Sequence, residues 1–175
     1  MEDLSFFSPA PRPQDERKRQ AALEGHGLLD TPSDPAFDAI VADAARDLQT
    51  DIAAISLVDG DRQWFLARVG LDVPETPRAC SFCAHAMLQP SEILCVPDAT
   101  LDLRFSGNPL VLPANGIRFY AGAPLVMHDG TVLGALCVIH RTSRARLKPS
   151  ETARLQDLAA RVVEEIEARQ NAWLR

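Results

Sequence analysis

Long hydrophobic runs are missing from this sequence. No stretch approaches the roughly 20 consecutive apolar residues that a membrane-spanning helix needs, so no membrane partner is expected. An excess of positive charge is missing as well: the formal net charge is -6. Binding to phosphate backbones or anionic lipid depends on clustered Lys and Arg, so nucleic acid is not an expected partner either. The one basic run, residues 141–148, is broken by Thr, Ser and Ala and reads as a solvated loop before a helix. The first residues have neither the basic start nor the apolar centre of a secretory leader, which makes the cytoplasm the expected location. Catalytic signatures are also lacking: there is no G-x-S-x-G, Walker lysine loop, dinucleotide fingerprint or H-E-x-x-H. On that ground the chain is expected to catalyse nothing.

What is present suits a folded domain. With 175 residues, 46% of them apolar and 24% charged, the chain can bury a core without disulfide or metal staples. Its cysteines, Cys80, Cys83, Cys95 and Cys137, sit in apolar surroundings, which favours free buried thiols in a reducing compartment. Cys80, Cys83 and His85 invite a metal or redox reading. On a helix, however, Cys80 and Cys83 lie about 60° apart and His85 about 200° from Cys83, so the three cannot converge. No metal is expected there, and packing is the leading reading of Cys83.

The order of elements follows from spacing. Residues 1–14 are Pro-rich without periodicity and read as a mobile arm. Residues 16–28 favour helix. Asp34 before Pro35 then offers a cap with proline at the first helical position, and Phe37, Ile40, Val41, Ala44, Ala45 and Leu48 recur at helical spacing. The period changes at residues 52–58 and 63–69, two β-type runs around an Asp-Gly turn. Residues 117–126 and 131–140 form a second such pair, and 93–96 a short fifth strand. Both alternating sets in 131–140 are apolar, so the sheet must be covered on both faces. Residues 149–173 form a long amphipathic helix with Leu155, Leu158, Val162 and Ile166 on one side, a candidate dimer seam.

Several segments resemble a GAF domain of the type found ahead of bacterial histidine kinases and diguanylate cyclases. They include Leu29-Asp30-Thr31-Pro32, Asp61-Arg62-Gln63-Trp64-Phe65, Ser81-Phe82-Cys83-Ala84-His85, Val96-Pro97-Asp98-Ala99 and Arg118-Phe119-Tyr120-Ala121-Gly122. The resemblance spans roughly residues 16–167. It implies an α+β fold for residues 15–170: an antiparallel sheet of five to six strands, terminal helices on one face, and a loop and short-helix lid over a pocket on the other. It further implies a small-molecule ligand, a homodimer through the terminal helices, and a downstream kinase or cyclase effector. No cofactor is implied. Bilin-binding relatives carry a Cys next to a His, whereas Ala84 separates Cys83 from His85 here, and the cyclic-nucleotide pattern of phosphodiesterase-type relatives is absent.

Arg118 and Tyr120 alternate with Ile117, Phe119 and Ala121, so Arg118 and Tyr120 are expected to face the pocket. A sheltered guanidinium needs a partner, and Asp98, Asp102 and Asp59 are the candidates. The arrangement reads either as an ion pair holding the lid or as an anchor for an anionic ligand. Residues 97–113 carry Asp98, Asp102, Arg104, Phe105 and Asn108 without periodicity and form the expected lid, where they either touch ligand or tie down their own backbone. Of the neighbours Trp64 and Phe65, one faces each side of the sheet, and either is a candidate pocket wall. The candidate ligand-binding set is therefore Trp64, Cys83, His85, Asp98, Arg104, Phe105, Asn108, Arg118 and Tyr120. Three functions compete: a ligand-sensing module, a dimerisation scaffold without ligand, and a thiol enzyme such as a methionine sulfoxide reductase.

Overall fold

The Asp34 side chain accepts a hydrogen bond from the Ala36 N–H at 2.9 Å and so starts a helix with Pro35 in its first turn. The computed structural model describes residues 6–174. In it this helix, α2 (Pro35–Leu48), ends where Gln49 turns left-handed at φ 54°. It follows α1 (Glu16–Gly25) and precedes the hairpin of β1 (Ile52–Asp59) and β2 (Arg62–Val69). Next come β3 (Glu75–Pro77), a 3-10 turn at Arg78–Cys80, the short helix α3 (Phe82–Ala86) and β4 (Leu94–Val96). A second 3-10 turn (Ala99–Leu101), β5 (Phe119–Val126), β6 (Val132–His140) and α4 (Pro149–Trp173) complete the chain. At the start of α4 the Glu151 carboxylate accepts from the Lys148 N–H at 2.9 Å.

The strands form one antiparallel sheet in the order β3-β2-β1-β6-β5-β4. This is the expected α+β architecture, with the sixth strand, β3, added. β3 holds only Glu75, Thr76 and Pro77, too few for an alternating pattern to show in the sequence.

Each face of the sheet has its own apolar layer. Ala53, Ile55 and Leu57 of β1 pack with α2 and α4, while Ile52 and Ala54 point into a second cluster under α3 and the lid. The alternation is not perfect. A register shift between Ile55 and Ser56 puts both Leu66 and Ala67 of β2 in the helix-side cluster. In β6, Leu133 joins Leu136 and Val138 on the helix side, near a second irregularity opposite Pro124 and Val126. The expected set Leu133, Ala135, Cys137 and Ile139 is thereby split, and only the last three face the lid. Gly134 sits where β6 lies close against β1: a Cβ there would lie 1.8 Å from the Ser56 carbonyl oxygen.

Two expectations are corrected. Leu155, Leu158, Val162 and Ile166 are buried against this chain's own sheet and α2, with 0% or 1% exposure, so they cannot also serve as a seam between two chains. The segment expected as a mobile arm is fastened in part: Phe6 and Ser8 lie against the lid, while Ala10 and Arg12 meet β1, α3 and α1. Ser8 N–H donates to the Arg104 carbonyl at 3.0 Å, Gly107 N–H donates to Phe6 O at 3.1 Å, and Ala10 packs beside Val58, Ala84 and Met87. The contacts are mostly backbone to backbone, which side-chain patterning does not reveal. The rest of that arm, residues 1–5, lies outside the described residues.

Candidate functional site

The lid face of β1, β2, β5 and β6 supplies Ile52, Phe65, Tyr120, Cys137 and Ile139 to one wall of a cavity of about 150 Å³. Phe82 and Cys83 of α3, with Leu110 and Ile117, form the opposite wall. The lining is mainly apolar, with two polar features. At one edge, Ser81 Oγ donates to Gln63 Oε1 at 2.5 Å and Gln63 Nε2 donates to Thr76 Oγ1 at 3.1 Å, a chain that ties α3 to β2 and β3. At another edge stands Arg141, whose guanidinium donates to the Asn115 carbonyl at 2.7 Å and has no carboxylate partner among the described residues. A cavity of this size takes a molecule on the order of a benzene ring. A larger hollow of about 400 Å³ lies on the helix side, between α4 and the β5 edge near His128.

Tyr120, fully buried, crosses the cavity floor. Its hydroxyl donates to Cys83 Sγ at 3.0 Å, and its ring is 5.1 Å from that of Phe82. Gly122 makes this possible, because a Cβ there would stand 2.2 Å from the Tyr120 hydroxyl. Burial holds the Tyr120 proton on, well above the ordinary tyrosine range, and the Cys83 sulfur beside it adds to the effect. At Cys83 burial opposes ionisation, but hydrogen bonds from Cys137, Ser56 and Tyr120 prevail and lower its pKa, while the Cys137 thiol is pushed up.

The other candidate residues are distributed differently. Trp64 packs on the helix side, and the bulky wall of the cavity is its neighbour Phe65. Arg118 meets no carboxylate among the described residues. Its guanidinium donates to the carbonyls of Val111 at 2.7 Å, Ile117 at 3.0 Å and Pro113 at 3.0 Å, clamping the lid backbone. Ile117, expected on the helix side, faces the cavity, since β5 begins only at Phe119. Asp98 caps the 3-10 turn through Thr100 N at 3.0 Å and Thr100 Oγ1 at 2.6 Å. Asp102 accepts from the Arg104 guanidinium at 2.8 Å.

Asn108, buried, donates to the Cys80 carbonyl at 3.1 Å and accepts from Leu110 N at 2.9 Å. Phe105 stacks on Phe82 with ring centroids 4.0 Å apart, behind the cavity wall. His85 turns away from the cavity toward the N-terminal segment, where its Nε2 donates to Ser8 O at 2.7 Å. Burial lowers its pKa from the usual value.

Of the nine candidates, therefore, Cys83 and Tyr120 line the cavity. The lid residues hold their own backbone. The residues missed, Gln63, Cys137, Ile139 and Arg141, left different traces. Cys137 and Ile139 share one alternating set of β6, and Gln63 is a lone amide inside an apolar run. Arg141 lies just past the strand in what reads as a loop.

The sequence pattern of the GAF domain family matches residues 33–166. This chain belongs to that family. Over 156 residues, 89% of its length, it is 47% identical to a protein of Pseudomonas aeruginosa named a cyclic di-GMP phosphodiesterase, of which it spans 26%. That relative's name runs against the expectation that the chain catalyses nothing. The missing motifs misled because they were drawn from other reaction classes and sought in only about a quarter of the relative's length. Among solved structures, the fold is similar to the GAF domain of a phosphoenolpyruvate-protein phosphotransferase from Coxiella burnetii (TM-score 0.65, 16% identity, 91% of this chain and 96% of that one). It is also similar to the corresponding domain from Acinetobacter (TM-score 0.63, 19% identity, 91% and 96%). No helix among the described residues is long and apolar enough to cross a membrane.

Proposed function

We propose that this GAF domain is a sensor that takes a small, mostly apolar molecule with a polar or acidic tip into the cavity beneath its lid, and that its occupancy sets the rate of cyclic di-GMP hydrolysis in the protein to which it contributes. The observation that carries the reading is the cavity itself: a partly open, mainly apolar hollow on the sheet face opposite the long helices, with the Arg141 guanidinium, which has no carboxylate partner among the described residues, at its edge. The link to cyclic di-GMP is supported by the 47% identity to the Pseudomonas protein across nearly the whole chain. α4 is the route for the signal, because it packs on β5 and β6, the strands that carry Tyr120 and Cys137, and ends in the exposed Trp173 and Leu174.

A ligand shifts such an equilibrium only by as much as it prefers one arrangement over the other, so binding must change how the lid seats on the sheet. The test is thermal unfolding of the chain with benzoate, indole-3-acetate and hexanoate, followed by a cyclic di-GMP hydrolysis assay with any compound that binds. At least one acid is expected to raise the melting temperature of the wild type and not that of Ile139→Trp, which fills the cavity. No shift with any of them, or an equal shift in the filled variant, contradicts the reading.

A further inference from the structure

The sequence places Cys80 and Cys83 in one C-x-x-C spacing, but the fold gives Cys83 another neighbour. Cys80 lies in the 3-10 turn before α3, and Cys83 belongs to the buried cluster between α3 and the sheet that also holds Cys137. Cys83 and Cys137 belong to one buried cluster and line the same cavity, each with no more than 2% exposure. Two hydroxyls converge on this pair. Tyr120 Oη donates to Cys83 Sγ at 3.0 Å, and Ser56 Oγ stands 4.0 Å from Cys137 Sγ.

Ser56 is the one polar side chain in β1 before its terminal Asp59 and has no exposure. A neutral thiol is a weak acceptor, and burying hydroxyls against it returns little of their desolvation cost. The Tyr120 hydroxyl aimed at a Cys83 thiolate makes a charge-assisted bond of roughly twice the strength. The arrangement fits a sulfur that carries negative charge at a working step.

We propose that Cys83 and Cys137 are an oxidisable dithiol, at which a small hydroperoxide entering the cavity converts the two thiols into a disulfide that ties α3 to β6. In the first step the Cys83 thiolate attacks the peroxide. A sulfur–oxygen bond forms, the oxygen–oxygen bond breaks, and the leaving alkoxide or hydroxide takes up the proton that Cys83 released. In the second step Cys137 sulfur attacks the sulfenic sulfur of Cys83. The sulfur–sulfur bond forms, the sulfur–oxygen bond breaks, and hydroxide leaves as water with the Cys137 proton. Two thiols and one hydroperoxide yield one disulfide, one alcohol or water, and one water.

Closing the pair to a bond length of about 2.05 Å draws the five-residue α3 toward the sheet and narrows the cavity. Burial of both sulfurs at the cavity wall favours small oxidants, while the half-buried Cys95 serves as an internal control. The reading is independent of what ligand, if any, the reduced cavity binds.

The test is titration of the whole reduced chain with hydrogen peroxide, then blocking of free thiols under denaturing conditions and peptide mapping by mass spectrometry. The expected result is a Cys83–Cys137 link formed before Cys95 oxidises. In Cys137→Ser, dimedone should trap a sulfenic acid on Cys83, and Tyr120→Phe should slow Cys83 oxidation about tenfold. Linkage of Cys83 to Cys80, or complete oxidation of Cys95 with Cys83 and Cys137 still free, overturns the proposal. The wild-type map does not depend on any variant folding.

Discussion

On the helix face of the sheet, burial comes from apolar stripes at regular spacing; on the lid face it comes from irregular backbone fastened by individual side chains. Phe37, Ile40, Val41, Ala44 and Leu48 of α2 meet Leu155, Leu158, Val162 and Ile166 of α4 over β1 and β6. The lid has no comparable stripe. It is held by Arg118 on four carbonyls, by Asp98 and Asn108 on nearby backbone groups, and by Phe6 and Ser8 crossing against it. A layer of the first kind resists local opening, whereas one built from separate polar fastenings can loosen in part, which suits the side that must admit a ligand.

The largest effect should come from breaking the helix face. Leu158→Asp or Val162→Asp places a carboxylate among fully buried aliphatic side chains, and each should cost more than about 4 kcal/mol and leave the chain unfolded by circular dichroism. A folded, monomeric variant would show instead that the stripe is a seam between chains.

The next effect lies at the junction of the two layers. Glu16 of α1 accepts from Arg19 at 2.8 Å and from Arg78, which leads into the lid, at 2.5 Å. Burial alone would raise the Glu16 pKa, but hydrogen bonds from Arg19 and Arg78 dominate and lower it to about 2. A depressed carboxylate pKa contributes stability that is complete above its unfolded value, near 4.5, and is lost as pH falls toward about 2. Urea unfolding across that range should show the loss in the wild type. Glu16→Gln, destabilised by about 3–5 kcal/mol because it leaves two buried guanidinium groups without their carboxylate, should show a flatter acid limb. An unchanged acid limb would remove Glu16 as its source.

Smaller effects should be confined to the lid. Arg118→Met should cost about 1.5–3 kcal/mol and speed hydrogen exchange at Ala99 and Ile117, leaving helix-face amides protected. Asp98→Ala, which removes only a 3-10 cap, should cost about 1 kcal/mol or less, with no change in small-acid binding. Equal deprotection on both faces in Arg118→Met would erase the distinction between them.

The same contrast explains what could be read in the sequence. The α2 cap, both hairpins and the α4 stripe follow from local chemistry and period, which regular elements impose on their residues. A stripe states only that it is buried, so nothing in the spacing of Leu155, Leu158, Val162 and Ile166 distinguishes this chain's sheet from a second chain. The assignment of Trp64 and Phe65 to their faces depends on where alternation breaks, and the register shift at Ile55 and Ser56 is a property of two strands together. Asp98, Arg104 and Asn108 looked like ligand contacts because polar residues in a loop have the same composition whether they meet a ligand or their own backbone. Arg118 went to carbonyl oxygens, which every residue carries and no sequence marks.

The central claim is that the lid closes over a hollow that a small apolar guest can enter. Crystals of the chain pressurised with xenon test it most directly, because xenon enters dry apolar cavities of this size. The account predicts one xenon site between Phe65, Phe82, Tyr120 and Ile139, lost in Ile139→Trp. Absence of xenon there in the wild type, with side chains collapsed into the space, would contradict it.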